Sequence, residues 1–261
     1  MRALGIAATG MLAQQLNVEV ISNNIANMNT TGFKRRRAEF QDLLYQNLQR
    51  VGSTSSDTGT VLPAGVQVGL GVKTAAVYMI AEQGNIASTD NVYDIAIKGP
   101  GYFQIALPSG ETGYTRAGSF QLSPDGEIVS PEGYIVQPGI TIPANAIGVT
   151  INSSGEVLVK ISGQVGDTNV GQLELASFPN SAGLEAIGDN LLLETAASGS
   201  PNTGAPGAPG FGTVSQGFLE TSNVNTVAEI TNLITAQRAY EMNSKVIQTS
   251  DEMLSTLTRL R

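Results

Sequence analysis

The chain contains no cysteine, no histidine and no tryptophan. Zinc sites built on Cys or His, thiol nucleophiles and any triad that needs imidazole are therefore excluded. No disulfide can form, so a location outside the cytoplasm has to be tolerated without one. Charge is also scarce. Asp, Glu, Lys and Arg make up 14% of the chain, against roughly 25% in an average soluble domain. No apolar run approaches the ~20 residues that carry a helix across a bilayer, so direct membrane insertion is not expected. The opening stretch MRALGIAATGMLA is interrupted by Thr9 and Gly10 and has no Ala-x-Ala site after it, which argues against a cleaved signal peptide.

The charge that is present is unevenly placed. The net value is −8 over 261 residues, and residues 81–220 hold three basic groups against fourteen acidic ones. The densest basic run is KRRR at 34–37. With an acidic total and no interleaved aromatics, it reads as a solvated turn beside a helix, and no nucleic-acid partner is expected. GLGVK (69–73) and GPGYF (99–103) have neither the spacing nor the strand–loop–helix context of a phosphate loop. Asp94, Asp125 and Glu127 sit in turn-like or strand-edge positions, and no DxDxDG calcium loop exists. No catalytic residue, cofactor or metal site is expected, and the chain reads as a non-enzyme.

Periodicity divides the remainder. Leu4, Met11, Val18 and Ile25 recur every seven residues and predict a helix over 3–27. NMNTTGF (27–33) supplies the turn chemistry that ends it. Phe40, Leu43, Leu44 and Leu48 suggest a second, shorter helix over 36–49. Residues 224–258 contain no Gly or Pro, and Leu233, Tyr240, Ile247 and Leu254 again fall every seven residues. Beside them runs a polar column of Gln237, Ser244 and Asp251. Heptads sustained over such length predict that the terminal helices pair as a coiled coil.

Between the helices the period drops to two. PDG and PEG turns punctuate 121–136, SSG separates two strands in 148–162, and QLELASF (172–178) alternates. Eight to ten strands are expected in this part, with a Gly/Pro-rich loop at 198–212 that would be mobile in isolation. The fold class is thus α+β. Residues 1–44 and 221–261 form a terminal helical region, 45–80 an extended arm or hairpin, and 81–220 an all-β domain. Long helices with little charge on their outer faces imply a covering partner, and copies of the same chain are the economical choice.

Four motifs, in order, carry a family resemblance. SNNIANMNTTGFKRR (22–36), with Asn23, Asn24, Asn27, Gly32 and Phe33, resembles the N-terminal signature of the bacterial flagellar rod and hook family. NVYDIAIKGPGYFQI and YTRAGSFQLSPDGEIV resemble its central part. Residues 220–254 are similar to its C-terminal segment, with Asn223 and Asn225 in SNVN and Gln237 and Arg238 in QRAYE. Length and the segment 62–77 match the distal-rod branch better than the proximal-rod branch. The resemblance implies a structural subunit of a hollow, straight helical shaft that crosses the periplasm of the basal body and transmits torque from motor to hook. It implies export without a cleaved signal through the flagellar type III apparatus. Copies of itself, other rod proteins, the hook protein and the basal-body ring proteins become the expected partners. The seam residues Leu4, Met11, Val18, Ile25, Leu233, Tyr240, Ile247 and Leu254 become the expected assembly interface. A reading of another class, a secreted β-domain adhesin or carbohydrate-active enzyme, predicts instead a saturable ligand site within 81–217 and no fibres.

Overall fold

A computed structural model of the chain describes residues 2–49, 64–164 and 166–259. The polypeptide separates into two units. One gathers 2–25, 36–49, 64–78 and 226–259, and the other gathers 26–35 and 79–225.

The first unit holds the two long helices, α1 (Arg2–Ala26) and α2 (Thr226–Arg259). Glu229 in the first turn of α2 and Arg259 in its last complement the helix dipole. The helices meet at two points. Asn24 Nδ2 donates to Glu229 Oε2 at 3.3 Å, and a Cβ placed on Gly10 would lie 2.9 Å from the Asn243 amide. The two contacts are equally spaced along both helices and run in opposite directions, so the helices approach antiparallel. Four strands complete the unit: β1 (Arg36–Asp42), β2 (Tyr45–Gln49), β3 (Val66–Gly69) and β4 (Val72–Met79). They pair as β1–β4 and β2–β3.

The helix expected over 36–49 is therefore corrected to the strands β1 and β2. In so short a segment the apolar positions fit either period, and pairing decides between them. In β1 the half-buried residues are Ala38 and Phe40, alternating with exposed Arg37 and Glu39. Arg37 and Glu39 both bond the Tyr78 hydroxyl of β4, Arg37 as donor and Glu39 as acceptor at 2.8 Å. Residues 50–63, the remainder of the expected arm, lie outside the described residues.

The second unit is all strand apart from one short 3-10 turn and the tail of α1. It runs β5 (Ile86–Ser88), β6 (Ile95–Lys98), β7 (Tyr102–Ala106), β8 (Thr112–Thr115), β9 (Gln121–Leu122), β10 (Ile128–Val129), β11 (Ala146–Ile151), β12 (Glu156–Ile161) and β13 (Asp167–Gln172). Next come β14 (Leu175–Ser177), β15 (Glu185–Gly188), β16 (Leu191–Leu193), β17 (Asn202–Gly204), β18 (Thr213–Gln216) and β19 (Phe218–Glu220). A six-stranded sheet has the order β15-β16-β8-β7-β14-β17, and β11-β12-β13 form a second sheet. The strands are more numerous and shorter than the eight to ten expected, because turns and isolated bridges interrupt the pairing. The Gly/Pro-rich segment at 198–212 is likewise more than a loop, since it contributes β17, the edge strand paired with β14.

The turns form where their chemistry predicted. The Gly126 amide bonds the Ser123 carbonyl, that of Gly133 bonds Ser130, and that of Gly155 bonds Asn152. Inside, Ile95, Ile97, Phe103, Ile105, Val157 and Val159 are fully buried in one large cluster. A smaller cluster packs Tyr102, Tyr114 and Phe178, with the Tyr114 and Phe178 rings edge to face at 4.7 Å. Burial pushes the Tyr114 phenol pKa up, and the nearby Glu194 charge adds to the shift.

Candidate functional site

In the first unit the buried face of α2 is a column of small or polar side chains. Glu229, Ala236 and Ser250 are buried and Asn243 is half-buried, one residue per heptad. The buried positions of α1 are Ala7, Ala13, Ile21 and Asn24. Small residues let the backbones come close, as at Gly10, and a polar pair such as Asn24–Glu229 fixes the register of a seam. Asn24 also reads the start of β1 as a paired strand would. Its Oδ1 accepts from the Arg36 amide at 2.9 Å, and its Nδ2 donates to the Arg36 carbonyl at 2.8 Å.

The expected seam residues flank this column. Leu4, Met11, Val18 and Ile25 on α1, and Leu233, Ile247 and Leu254 on α2, are half-buried; Tyr240 is 44% exposed. On the other side of α2, Val227, Ile230, Ile234, Met242, Val246 and Met253 are exposed, Val227 by 76% and Met242 by 62%. Gln237 and Arg238 are exposed, as is Asp251, while Ser244 is half-buried.

In the second unit the N-terminal, central and C-terminal motifs converge on one carboxylate. Glu220 ends β19 and its side chain has no solvent exposure. Lys34 Nζ donates to its Oε1 at 2.5 Å and the Gly84 amide donates to the same oxygen at 2.8 Å. Arg116 Nε donates to Oε2 at 2.7 Å. Arg116 also bonds the carbonyls of Gly101 and Ile97, and Lys34 bonds the carbonyl of Glu82 at 2.7 Å. Burial lowers the Lys34 pKa; the Glu220 hydrogen bond and charge pull it back up, and the Arg116 charge lowers it again.

Backbone contacts hold the segment 26–35 to this cluster. Gly32 donates to the Glu220 carbonyl at 2.8 Å. Its φ is +68°, and an added Cβ would lie 2.6 Å from the Ala117 nitrogen, so no other residue fits without a backbone shift. Asn223 accepts from the Arg35 amide at 2.7 Å and donates to the carbonyls of Ile80 and Glu82 at 3.0 Å. The half-buried Phe33 lends its carbonyl to the Asn223 amide. Asn27 closes the turn after α1 by accepting from the Thr30 hydroxyl at 3.0 Å. Asn23 and Asn225 are exposed.

Lys34, Arg116 and Glu220 were not among the residues singled out from sequence. Lys34 overturns the reading of KRRR as a wholly solvated turn, since it is only 6% exposed. Among the described residues, no cluster of three or more acidic side chains is placed to hold a metal ion. No described helix is long and apolar enough to cross a membrane.

Comparison with known proteins agrees with this convergence of motifs. Residues 4–34 match the family profile described as flagella basal body rod protein. Residues 96–159 match that of the flagellar hook protein FlgE/F/G D1 domain. Residues 215–260 match that of the flagellar basal body rod FlgEFG protein C-terminal region. The chain is 63% identical to the flagellar basal-body rod protein FlgG of Caulobacter vibrioides over 261 residues, all of both chains. It is 53% identical to FlgG of Agrobacterium fabrum over 99% of each chain. Against FlgG of Bacillus subtilis the identity is 39%, covering 100% of this chain and 99% of the relative.

Proposed function

This chain belongs to the family of flagellar basal-body rod proteins and is a structural subunit of the distal rod; from that premise we propose that it polymerises into a hollow, straight helical shaft carrying torque from motor to hook. Assembly falls to the terminal regions, 1–44 and 221–261, whose helices α1 and α2 pair as a coiled coil. Their seam residues Leu4, Met11, Val18, Ile25, Leu233, Tyr240, Ile247 and Leu254 are shared between copies. Residues 45–80 act as an arm between subunits, and 81–220 as the outer β domain. The subunit reaches its place in the periplasm through the flagellar export apparatus, without a cleaved signal. It meets other rod proteins, the hook protein and the basal-body rings there.

The observation that carries this reading is the exposed face of α2. Six large apolar side chains from Val227 to Met253 face solvent on a single helix. Each such side chain gains ~1.5–3 kcal/mol when it is fully buried. A second copy, covering this face with a different patch of its own surface, supplies that burial in every subunit at once, and such a heterologous contact, when it does not close into a ring, grows into a helical polymer. Electron microscopy of the purified chain at rising concentration tests it. Straight tubes are expected. A monomer that stays dispersed, or one with saturable carbohydrate binding in the β unit, counts for the adhesin or enzyme reading instead.

A further inference from the structure

Lys34 and Arg116 line a solvent-open cleft of about 280 Å³ in the second unit, walled by Pro100, Gly101, Tyr102 and Phe178. Their side chains are only 4% and 8% exposed, so what reaches them does so through this cleft. The two cations share one carboxylate. Glu220 already accepts from Lys34, Arg116 and the Gly84 amide. Among the described residues, no second carboxylate lies within ion-pair distance of either cation. The Lys34 ammonium has three protons to donate and bonds two protein oxygens, the Glu82 carbonyl and Glu220. The site therefore holds one positive charge in excess, and a shielded unpaired charge is costly. Burial, and to a smaller degree the Arg116 charge, lower the Lys34 pKa.

We propose that this cleft binds a carboxylate supplied by a second copy of the chain. The inference rests on the polymer reading above. Charge complementarity names the occupant: residues 81–220 carry fourteen acidic groups against three basic ones, so a neighbouring copy offers carboxylates and few cations. Several stand on exposed turn tips, Asp125 in the PDG turn and Glu132 in the PEG turn among them. A carboxylate entering the cleft completes a cluster of two cations and two anions, with the free Lys34 proton as its donor.

The test has two arms. First, the full-length chain at low ionic strength is titrated with sodium acetate, with sodium chloride at matched ionic strength as control, while the Gly101 and Ser177 amides and the Arg116 Nε–H are followed by NMR. Saturable shifts with acetate are expected. Lys34→Gln should weaken the binding by about tenfold or more, and Lys34→Arg should keep it. The melt of Lys34→Gln should not fall, because Arg116 and Glu220 remain as a balanced pair. Absence of saturation, or equal binding by Lys34→Gln, overturns the site. Second, polymer growth is measured with the same variants. Growth slowed about tenfold in Lys34→Gln and restored in Lys34→Arg supports the second copy as occupant. Loss of acetate binding with unchanged growth overturns that occupant and leaves a site for a free anion. A wild-type chain that never polymerises removes the rod reading and the copy-borne carboxylate together, while the acetate titration still judges the site.

Discussion

The two units of this molecule bury their side chains in opposite ways. In the second unit sixteen apolar residues form one continuous buried cluster, with Ile95, Ile97, Phe103 and Ile105 wholly removed from solvent. In the first unit the buried positions of α2 are Glu229, Ala236 and Ser250, while its Ile, Val and Met side chains, apart from the half-buried Ile247, lie outside. Apolar burial is the main favourable term in folding. The β unit therefore has its stabilising surface within itself, and the helical unit has much of its surface still to bury. The expected outcome is that the β unit folds before assembly and the helical unit completes its folding in assembly.

The sharpest way to break this contrast is a charge in the helical seam. Ile247 is half-buried on α2 between Asn243 and Ser250, one turn from each. Ile247→Asp places a carboxylate in the seam proposed to be shared between copies, and an unpaired buried charge costs several kcal/mol. Export of the full-length variant should continue and shaft assembly should stop. The cooperative melt of the β signal should stay within about 0.5 kcal/mol of wild type, as for a substitution outside that core. Normal shafts would reject the seam, and a collapsed β melt would show that the two units share one core.

The next largest effect falls on the other unit and has the opposite pattern. Glu220→Gln leaves Lys34 and Arg116 without their carboxylate while keeping shape. Breaking a buried pair from one side costs about 3–5 kcal/mol. The β melt, followed by denaturant titration, should drop by that amount, with no first-order change in the helical signal. A loss below about 1 kcal/mol, the range of a surface pair, would mean that the cluster is solvated.

How much of this was legible in the sequence follows the range of the interactions. The long helices announced themselves because a seven-residue repeat persists through them, and the PDG, PEG and SSG turns did so because Gly and Asn chemistry is local. The segment 36–49 reads as a helix because four apolar residues in fourteen fit either period, and only the pairing of β1 with β4 and of β2 with β3 decides. The a-like column Leu233, Tyr240, Ile247 and Leu254 was visible because it is apolar. Its partner column Glu229, Ala236, Asn243 and Ser250 was not, because small and polar residues look like a solvent face until the other helix is in place. The Glu220 cluster was invisible for a further reason. Lys34, Arg116 and Glu220 are each ordinary in their own neighbourhoods, and what joins them is contact across separations of 104 and 186 residues. The family motifs still enclosed them, so their functional weight could be inferred where their geometry could not.

The smallest expected effect sharpens the comparison from the side of pH. Lys34 has its pKa lowered from the ordinary value of 10.5, chiefly by burial. Between its folded value and 10.5 the unfolded chain holds a proton that the folded chain has released. Stability contributed by this group therefore rises with pH through that window, opposite to a lysine stabilised by a partner. Tyr114 acts the other way, because its raised pKa in the folded state withdraws stability as pH climbs past the ordinary value of 10.0. Measurement below that point, compared with Lys34→Gln at each pH, isolates the lysine. The difference in denaturant midpoint between wild type and Lys34→Gln should shift in favour of wild type as pH rises from neutrality toward 10. The helical unit, which has no ionisable group with such a burial-driven shift among its described residues, should show no matching trend. A difference that is flat with pH, or that moves against wild type, would mean that the Glu220 pairing offsets or outweighs burial at Lys34.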